Sequence, residues 1–303
     1  MSGSASSQHR ESGEPVFRAQ GGSLYVVATP IGNLRDITLR ALDILRTVDV
    51  IAAEDTRVTA TLLDHYAIAA RPVALHEHNE AQRAPMLVAH LAAGRSVALV
   101  TDAGTPAVSD PGARVVAQAR AAGCAVVPIP GPNAAIAAIS AAGLDAESFF
   151  FAGFPARSGK AREALFAALR ELPCAVVVYE SPHRVHDTVR ALAQVFGEER
   201  MLTIAREVTK RFETIVTIKL GEAAAWLDAD PNRTRGEFVL VVDARPAPVR
   251  AAALDESGER WLGALLEHVS PAQAARIASA ATGIARDAIY ARALSIKSRR
   301  SEA

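Results

Sequence analysis

The chain reads as an α/β protein with two sheet domains and a small helical appendage, on three observations. Between residues 24 and 142, short β-branched runs alternate five times with Ala-, Leu- and Arg-rich runs of helical length. After Gly143 an aromatic run at 148–154 opens a segment with four more strands, and only one short helix separates the last two. Beyond a proline-bearing stretch, RPAPV at 245–249, only helical periodicity remains. The boundaries expected are a disordered leader at 1–22, a parallel-sheet domain at 23–146, a mixed-sheet domain at 147–244, and a linker with a helix-turn-helix-like unit at 245–303.

Each element follows from local pattern. Strands are expected at 24–28, 48–53, 72–75, 97–101 and 125–129, with helices at 38–47, 57–66, 80–93, 111–122 and 133–142. Five β-then-α units at this spacing call for a mostly parallel sheet covered on both faces, because a parallel crossover needs a helix. The second half offers an amphipathic helix to Arg170 and strands at 175–179, 202–205, 213–219 and 237–242, the last two read as sheet neighbours. Helices at 259–269, 271–281 and 285–296, the last two separated at Gly283, close the chain.

Composition excludes several classes. At 303 residues, half of them hydrophobic, the chain is long and apolar enough to bury sizeable cores. Its formal net charge is zero, so no global field draws it to nucleic acid or membrane, and any such affinity is local. The first 22 residues lack the apolar centre of a signal peptide. The longest small-apolar stretch, 134–142, is interrupted by Ser140 and too short to cross a bilayer. Cys124 and Cys174 lie beside strand-like runs, as small buried hydrophobes of a reducing compartment do. A soluble, cytoplasmic protein is expected.

The chemistry concentrates where strands end, since loops at the carboxyl edge of an α/β sheet are where such folds bind ligands. Two loops stand out: Thr101-Asp102-Ala103-Gly104-Thr105-Pro106 and Pro130-Gly131-Pro132-Asn133, whose glycines let backbone approach a ligand closely. The loops suggest a nucleotide-like ligand, while the lack of any G-x-G-x-x-G argues against an ordinary Rossmann dehydrogenase. TPIGNLRD at 29–36 brings Asn33, Arg35 and Asp36 to the same edge, although Asp36 serves equally as a helix cap. Glu54-Asp55-Thr56-Arg57 is either a capped helix start or an acid pair that positions a polar substrate. His76-Glu77-His78-Asn79-Glu80 matches no zinc spacing and reads as a polar wall of the substrate cleft, with no metal. Ser109-Asp110-Pro111-Gly112 reads as architecture, the cap of the following helix. In the second domain Glu180 opens a polar turn at a strand end, Arg157 and Lys160 share a basic loop, and Arg206, Lys210 and Arg211 lie between two strands.

Taken in order, TPIGNLRDIT, AAEDTR, LHEHNE, VTDAGTPAVSDPG, PIPGPNA, YESPHR, REVTKRFE and RGEFVL resemble the tetrapyrrole methylase superfamily, and more closely its branch that acts on ribosomal RNA. The resemblance runs from about Leu24 to about Val242 and on into the helical tail. It implies two α/β domains with S-adenosyl-L-methionine between them. It also implies methyl transfer to the ribose 2′-hydroxyl of a cytidine in 16S rRNA of the small ribosomal subunit, by a homodimer. On the same ground Thr101, Asp102, Ala103, Gly104, Thr105 and Pro106 hold the methionine part and sulfonium, and Pro130, Gly131, Pro132 and Asn133 form the second cofactor-facing turn. The superfamily's acid after the glycine is absent, and Asp102 precedes the glycine instead. Glu54, Asp55, Asp102 and Glu180 are the candidates for catalysis, and Asn33, Arg35, Arg57, Arg157, Lys160, Arg206, Lys210 and Arg211 for the RNA.

Two rival readings remain. C-methylation of a corrin-type ring uses the same fold and cofactor, but the basic loops favour phosphates. Non-enzymatic nucleic-acid binding by the tail would draw on six Arg and Lys against two acids from Pro271 onward, a net +4. It leaves the polar strand-end loops of two domains unexplained.

Overall fold

The computed structural model describes residues 17–144, 148–244 and 254–301. Residues 1–16 of the expected leader and the whole RPAPV stretch lie outside them, as do the side chains of Arg299 and Arg300. Residues 17–22 are not a free leader: the Phe17 N–H donates to Asp43 (3.2 Å), Gln20 N–H to the Tyr25 hydroxyl (2.8 Å) and Gly22 N–H to the Arg95 carbonyl (3.1 Å). The described residues up to Asp243 form one compact unit that contains both sheets, and those from Ala244 form a second.

The first sheet comprises β1 (Ser23–Val27), β2 (Val50–Ala53), β3 (Val73–Ala74), β4 (Val97–Val100) and β5 (Ala125–Ile129), in the order β3-β2-β4-β1-β5 and parallel throughout. β4 is buried along its whole length, as a strand covered on both faces must be. One face packs Ile44, Leu45 and Leu63 from α1 (Leu39–Thr47) and α2 (Thr56–His65). The other packs Leu87, Leu91 and Val115 from α3 (Glu80–Ala92) and α4 (Ala113–Ala121). Thr38, rather than Asp36, caps α1 by accepting the Ala41 N–H (3.2 Å). The His76–Glu80 loop is no wall of the cleft described below. Its last residue, the buried Glu80, accepts the N–H groups of Gly112 (3.1 Å) and Arg114 (2.9 Å), so α3 caps the start of α4 with a carboxylate. Glu80→Ala should lower the unfolding free energy by about 2 kcal/mol in urea titration, the scale of hydrogen bonds to a charged group, and Glu80→Gln by less.

The second sheet comprises β6 (Phe149–Phe151), β7 (Ala175–Glu180), β8 (Met201–Arg206), β9 (Thr214–Lys219) and β10 (Phe238–Val242), in the order β6-β7-β10-β8-β9. It is mixed, with only β6–β7 parallel among its pairs. The expected pairing of the last two strands is corrected: β9 pairs with β8 as a hairpin, and β10 inserts between β7 and β8. Burial explains it, because every residue of β10 is buried whereas β9 keeps exposed positions and suits an edge. α6 (Gly159–Leu169), α7 (Val185–Phe196) and α8 (Leu220–Asp228) cover one face around Phe166, Leu192 and Leu240. The other face receives α5 (Ala134–Ala142), whose Ala135 and Ala138 sit on Val177, Val239 and Val241. α5 follows a strand of the first sheet but packs on the second, and its small side chains permit that close approach.

In the second unit α9 (Glu256–His268), α10 (Pro271–Thr282) and α11 (Arg286–Ser301) enclose a small core of Leu262, Ala274, Ala275, Ile289 and Ala293. Ser270 and Gln273 form a capping box at the start of α10. Among the described residues no helix is long and apolar enough to cross a membrane, and Cys124 and Cys174 are half-buried free thiols.

Candidate functional site

Because the first sheet is parallel, β1, β2, β4 and β5 release their loops at one edge. Those loops face the end of β7, the start of β10 and the β8–β9 turn across a cleft of about 400 Å³. That volume falls in the range of small-molecule sites, about 300–1,000 Å³. Glu54, Asp102, Gly104, Asp110 and Asn133 line one wall, and Phe154, Tyr179, Glu180, Val208 and Lys210 the other.

The β4 loop is fixed by a backbone bridge and by threonine hydroxyls. Thr29 and Gly104 exchange N–H to carbonyl bonds at 2.8 and 3.1 Å, and the Thr29 hydroxyl donates to the Thr101 carbonyl (3.0 Å). Gly104 holds φ +88°, a conformation that disfavours any side chain. The Thr105 hydroxyl donates to the Pro132 carbonyl (3.2 Å), tying this loop to the one after β5. Of five non-glycine residues with positive φ among those described, Ala107, Ser109, Glu207 and Thr209 all belong to two loops on the cleft. Strain of this kind collects where structure is held for function.

The wall after β2 and β4 is acidic. Glu54 accepts the Thr101 hydroxyl (2.6 Å), and Asp102 accepts the Asp55 N–H (2.9 Å). Burial, with Glu54 and Asp55 nearby, pushes the Asp102 carboxyl up. Asp110 is moved further: burial and the charges of Glu54 and Asp102 outweigh the Thr101 hydroxyl and raise it to about 7. Opposite, burial raises the Tyr179 hydroxyl, which accepts the Ala135 N–H (3.1 Å). The rings of Phe151 and Phe154 meet Tyr179 edge-on, at 4.8 and 5.4 Å. Such a cleft suits a ligand with an apolar body and a cationic group, whose charge the crowded carboxylates would stabilise. Among the described residues no group of three or more His, Cys, Asp or Glu could hold a metal ion.

Of the expected cofactor residues, Asp102, Ala103, Gly104, Thr105 and Asn133 line the cleft. Thr101 is buried behind them, and Pro106, Pro130, Gly131 and Pro132 are not on its surface. A Cβ on Gly131 would come within 2.9 Å of the Ala28 Cβ, so that glycine serves packing of the β5 turn on β1 rather than approach to a ligand.

The expected catalytic carboxylates separate. Asp55 caps α2 and is held well below the usual carboxylate range by hydrogen bonds from Arg57, and neither residue lines the cleft. Glu180 lines it but is almost fully buried and committed: it accepts the Ser181 N–H (2.8 Å) and the Thr188 hydroxyl (2.6 Å) and pairs with Arg184 (3.2 Å). Glu54 and Asp102 remain. The residue that sequence reasoning misses is Asp110, which reads as part of a helix cap. α4 is capped at Gly112 instead, with Asp110 turned to the cleft wall. Nothing in the local sequence speaks against the cap, because a non-helical residue before a first-turn proline suits an N-cap equally well, as Ser270 before Pro271 does in α10.

The expected RNA-facing residues also divide. Asn33 and Arg35 sit exposed on a 3-10 turn outside the cleft lining, where the Asn33 side chain accepts the Arg35 N–H (3.1 Å). Arg206 is buried, and its guanidinium donates to the Arg235 carbonyl (3.4 Å). Lys210 binds Glu207 (3.0 Å) and Glu237 (2.6 Å), which raise its pKa against the effect of burial. Of these three basic residues only Arg211 is exposed, with its guanidinium over the Phe212 ring at 5.5 Å. Arg157 and Lys160 are exposed and have no ion pair among the described residues.

Solved structures that share this fold include diphthine synthase (TM-score 0.58, 16% identity, covering 73% of this chain and 90% of that one) and uroporphyrin-III-C-methyltransferase from Thermus thermophilus (0.53, 22%, 73% and 94%). The family model described as Tetrapyrrole (Corrin/Porphyrin) Methylases matches residues 23–224, and one described as RsmI C-terminal HTH domain matches 252–297. Proteins named ribosomal RNA small subunit methyltransferase I are 47% identical in Escherichia coli O157:H7 (90% of this chain, 95% of that protein) and 51% identical in Vibrio cholerae (72% and 76%). The chain thus belongs to the tetrapyrrole methylase family. Within that family the chain belongs to the ribosomal RNA small subunit methyltransferase I branch.

Proposed function

We propose that this protein transfers a methyl group from S-adenosyl-L-methionine to the ribose 2′-oxygen of a cytidine in 16S rRNA, working on the small ribosomal subunit as a cytoplasmic homodimer. Membership of the branch supports methylation of small-subunit rRNA. The observation that carries the chemistry is the acidic wall of Glu54, Asp102 and Asp110 at the glycine-fixed β4 loop.

The residues fit the methyl donor. The cleft has its size, the β4 loop offers backbone at Gly104, and the carboxylates suit its cationic centre. When bound, that donor supplies an electrophilic methyl carbon on a sulfonium. The protein's tasks are then placement of the hydroxyl in line with that carbon and removal of its proton. Asp110 suits the second task. Its carboxyl is half ionised near neutrality and lines the same cleft. A cation brought beside it shifts it toward the ionised, proton-accepting form. Glu54 and Asp102 are held in place beside it by their hydrogen bonds.

Mass mapping of 16S rRNA from cells with and without the gene tests the reading. It expects one ribose methyl that depends on the gene. A methyl found only on a base, or on a tetrapyrrole carbon, would overturn it. Arg157→Gln with Lys160→Gln should weaken affinity for the small subunit and flatten its salt dependence by about one to two in log–log slope, one phosphate per cation lost. Affinity for the methyl donor should not change.

A further inference from the structure

Beside the cleft runs a second groove, lined by Phe154, Pro155, Arg157, Ser181, His183 and Arg184 among others. Phe154 and Ser181 line both, so the groove opens into the cleft. We propose that this groove is a nucleotide-stacking subsite, in which an unpaired RNA base next to the reacting ribose lies on the Phe154 ring and its phosphate meets Arg157 and His183. The inference rests on the RNA-methylating reading above.

Three observations carry it. Phe154 is 56% exposed, although its ring packs edge-on to the half-buried Tyr179 and is therefore held in place. An aromatic face presented at the mouth of a cleft is the platform on which single-stranded bases stack. Second, the groove has an uncompensated cation: no acid lines it, and Arg157 is exposed with no ion pair among the described residues, with the exposed His183 ring available beside it as a hydrogen-bond donor. Third, it is built in advance. The Arg184 guanidinium pairs with the buried Glu180 and donates to the carbonyls of Pro155 and Ala156, fixing the loop that carries Phe154 and Arg157. The Arg184 Nε is itself buried without a hydrogen-bond partner among the described residues. At the other end of that loop, Gly153 holds φ +65° and a Cβ there would stand 3.0 Å from the Ser109 hydroxyl. The loop is therefore seated against the β4 loop of the opposite wall. A preformed site loses less freedom when it binds.

The test uses small subunits purified from cells lacking the gene, with Phe154→Ala, Phe154→Leu, Phe154→Trp and Arg157→Gln in the full-length protein. Base-on-aromatic stacking predicts that Phe154→Ala lowers kcat/KM at least fivefold. Phe154→Trp should restore it and Phe154→Leu should not. Arg157→Gln should raise KM with little change in kcat, and its affinity for S-adenosyl-L-methionine, measured by calorimetry, should stay within about twofold of wild type, since Arg157 does not line the cleft. Wild-type kcat/KM in Phe154→Ala would overturn the inference. Equal rescue by leucine and tryptophan would also overturn it, since packing would then suffice. A wild-type protein that transfers no methyl to the subunit would instead defeat the functional reading on which the inference stands.

Discussion

Asp110→Asn should reduce kcat by about two to four orders of magnitude, the usual contribution of a positioned proton acceptor, while binding of S-adenosyl-L-methionine weakens far less. The pH dependence gives a sharper signature. In the free protein burial and the neighbouring acids hold the Asp110 carboxyl near 7, so wild-type kcat/KM should climb through that pH and level off above it. The asparagine variant should lack that limb. Stability moves in the opposite sense. The native protein keeps the Asp110 proton up to about 7, whereas the unfolded chain releases it near the ordinary value of 3.8. Native stability should therefore decline as pH rises between those values and flatten above them, because the folded state binds more protons in that window. Urea titrations at pH 5 and 8 should show that decline in wild type and a smaller one in Asp110→Asn. A variant with normal turnover at every pH would remove Asp110 from the mechanism and return the role to Glu54 or Asp102.

Gly104→Val should abolish measurable binding of the methyl donor, with a loss of at least a hundredfold. The cause is conformational. At φ +88° a β-branched residue is strongly disfavoured, and the two-way backbone bridge to Thr29 leaves the loop no room to relax. Space alone would not forbid it, since a Cβ at this position meets only Ile31 at 3.6 Å and the Pro132 carbonyl at 3.9 Å. Gly94→Ala provides the control. Gly94 also has positive φ, but a Cβ there has nothing within 4 Å, so its substitution should cost about 1 kcal/mol of stability and leave donor affinity intact. Calorimetry and thermal melts on both variants separate strain in general from strain at the cleft. If Gly104→Val binds the donor normally, the β4 loop is not its seat.

The sequence by itself determined the layout of the first sheet and the place of the chemistry. Five β-then-α repeats leave only a covered parallel sheet, and parallel strands must release their loops at one edge. Glu54, Asp102, Gly104 and Asn133 are grouped by that rule alone, and the cleft contains all four. Motif order was equally legible, and with it the family. The tertiary structure alone decided what local pattern cannot encode. The place of β10 depends on which strand is buried from both sides, and a strand-like run looks the same at an edge or a centre. The alanine face of α5 fits either sheet; only the assembled core shows that it lies on the second. Side-chain roles depend most on partners distant in the chain. Glu180 is consumed by Thr188 and Arg184, Lys210 by Glu207 and Glu237, and Glu80 by the amides of α4. Asp110, which reads locally as part of a cap, is left with Glu54 and Asp102 in a half-buried wall. A carboxylate's chemistry is set by its desolvation and by the charges around it, and both exist only once the chain has folded.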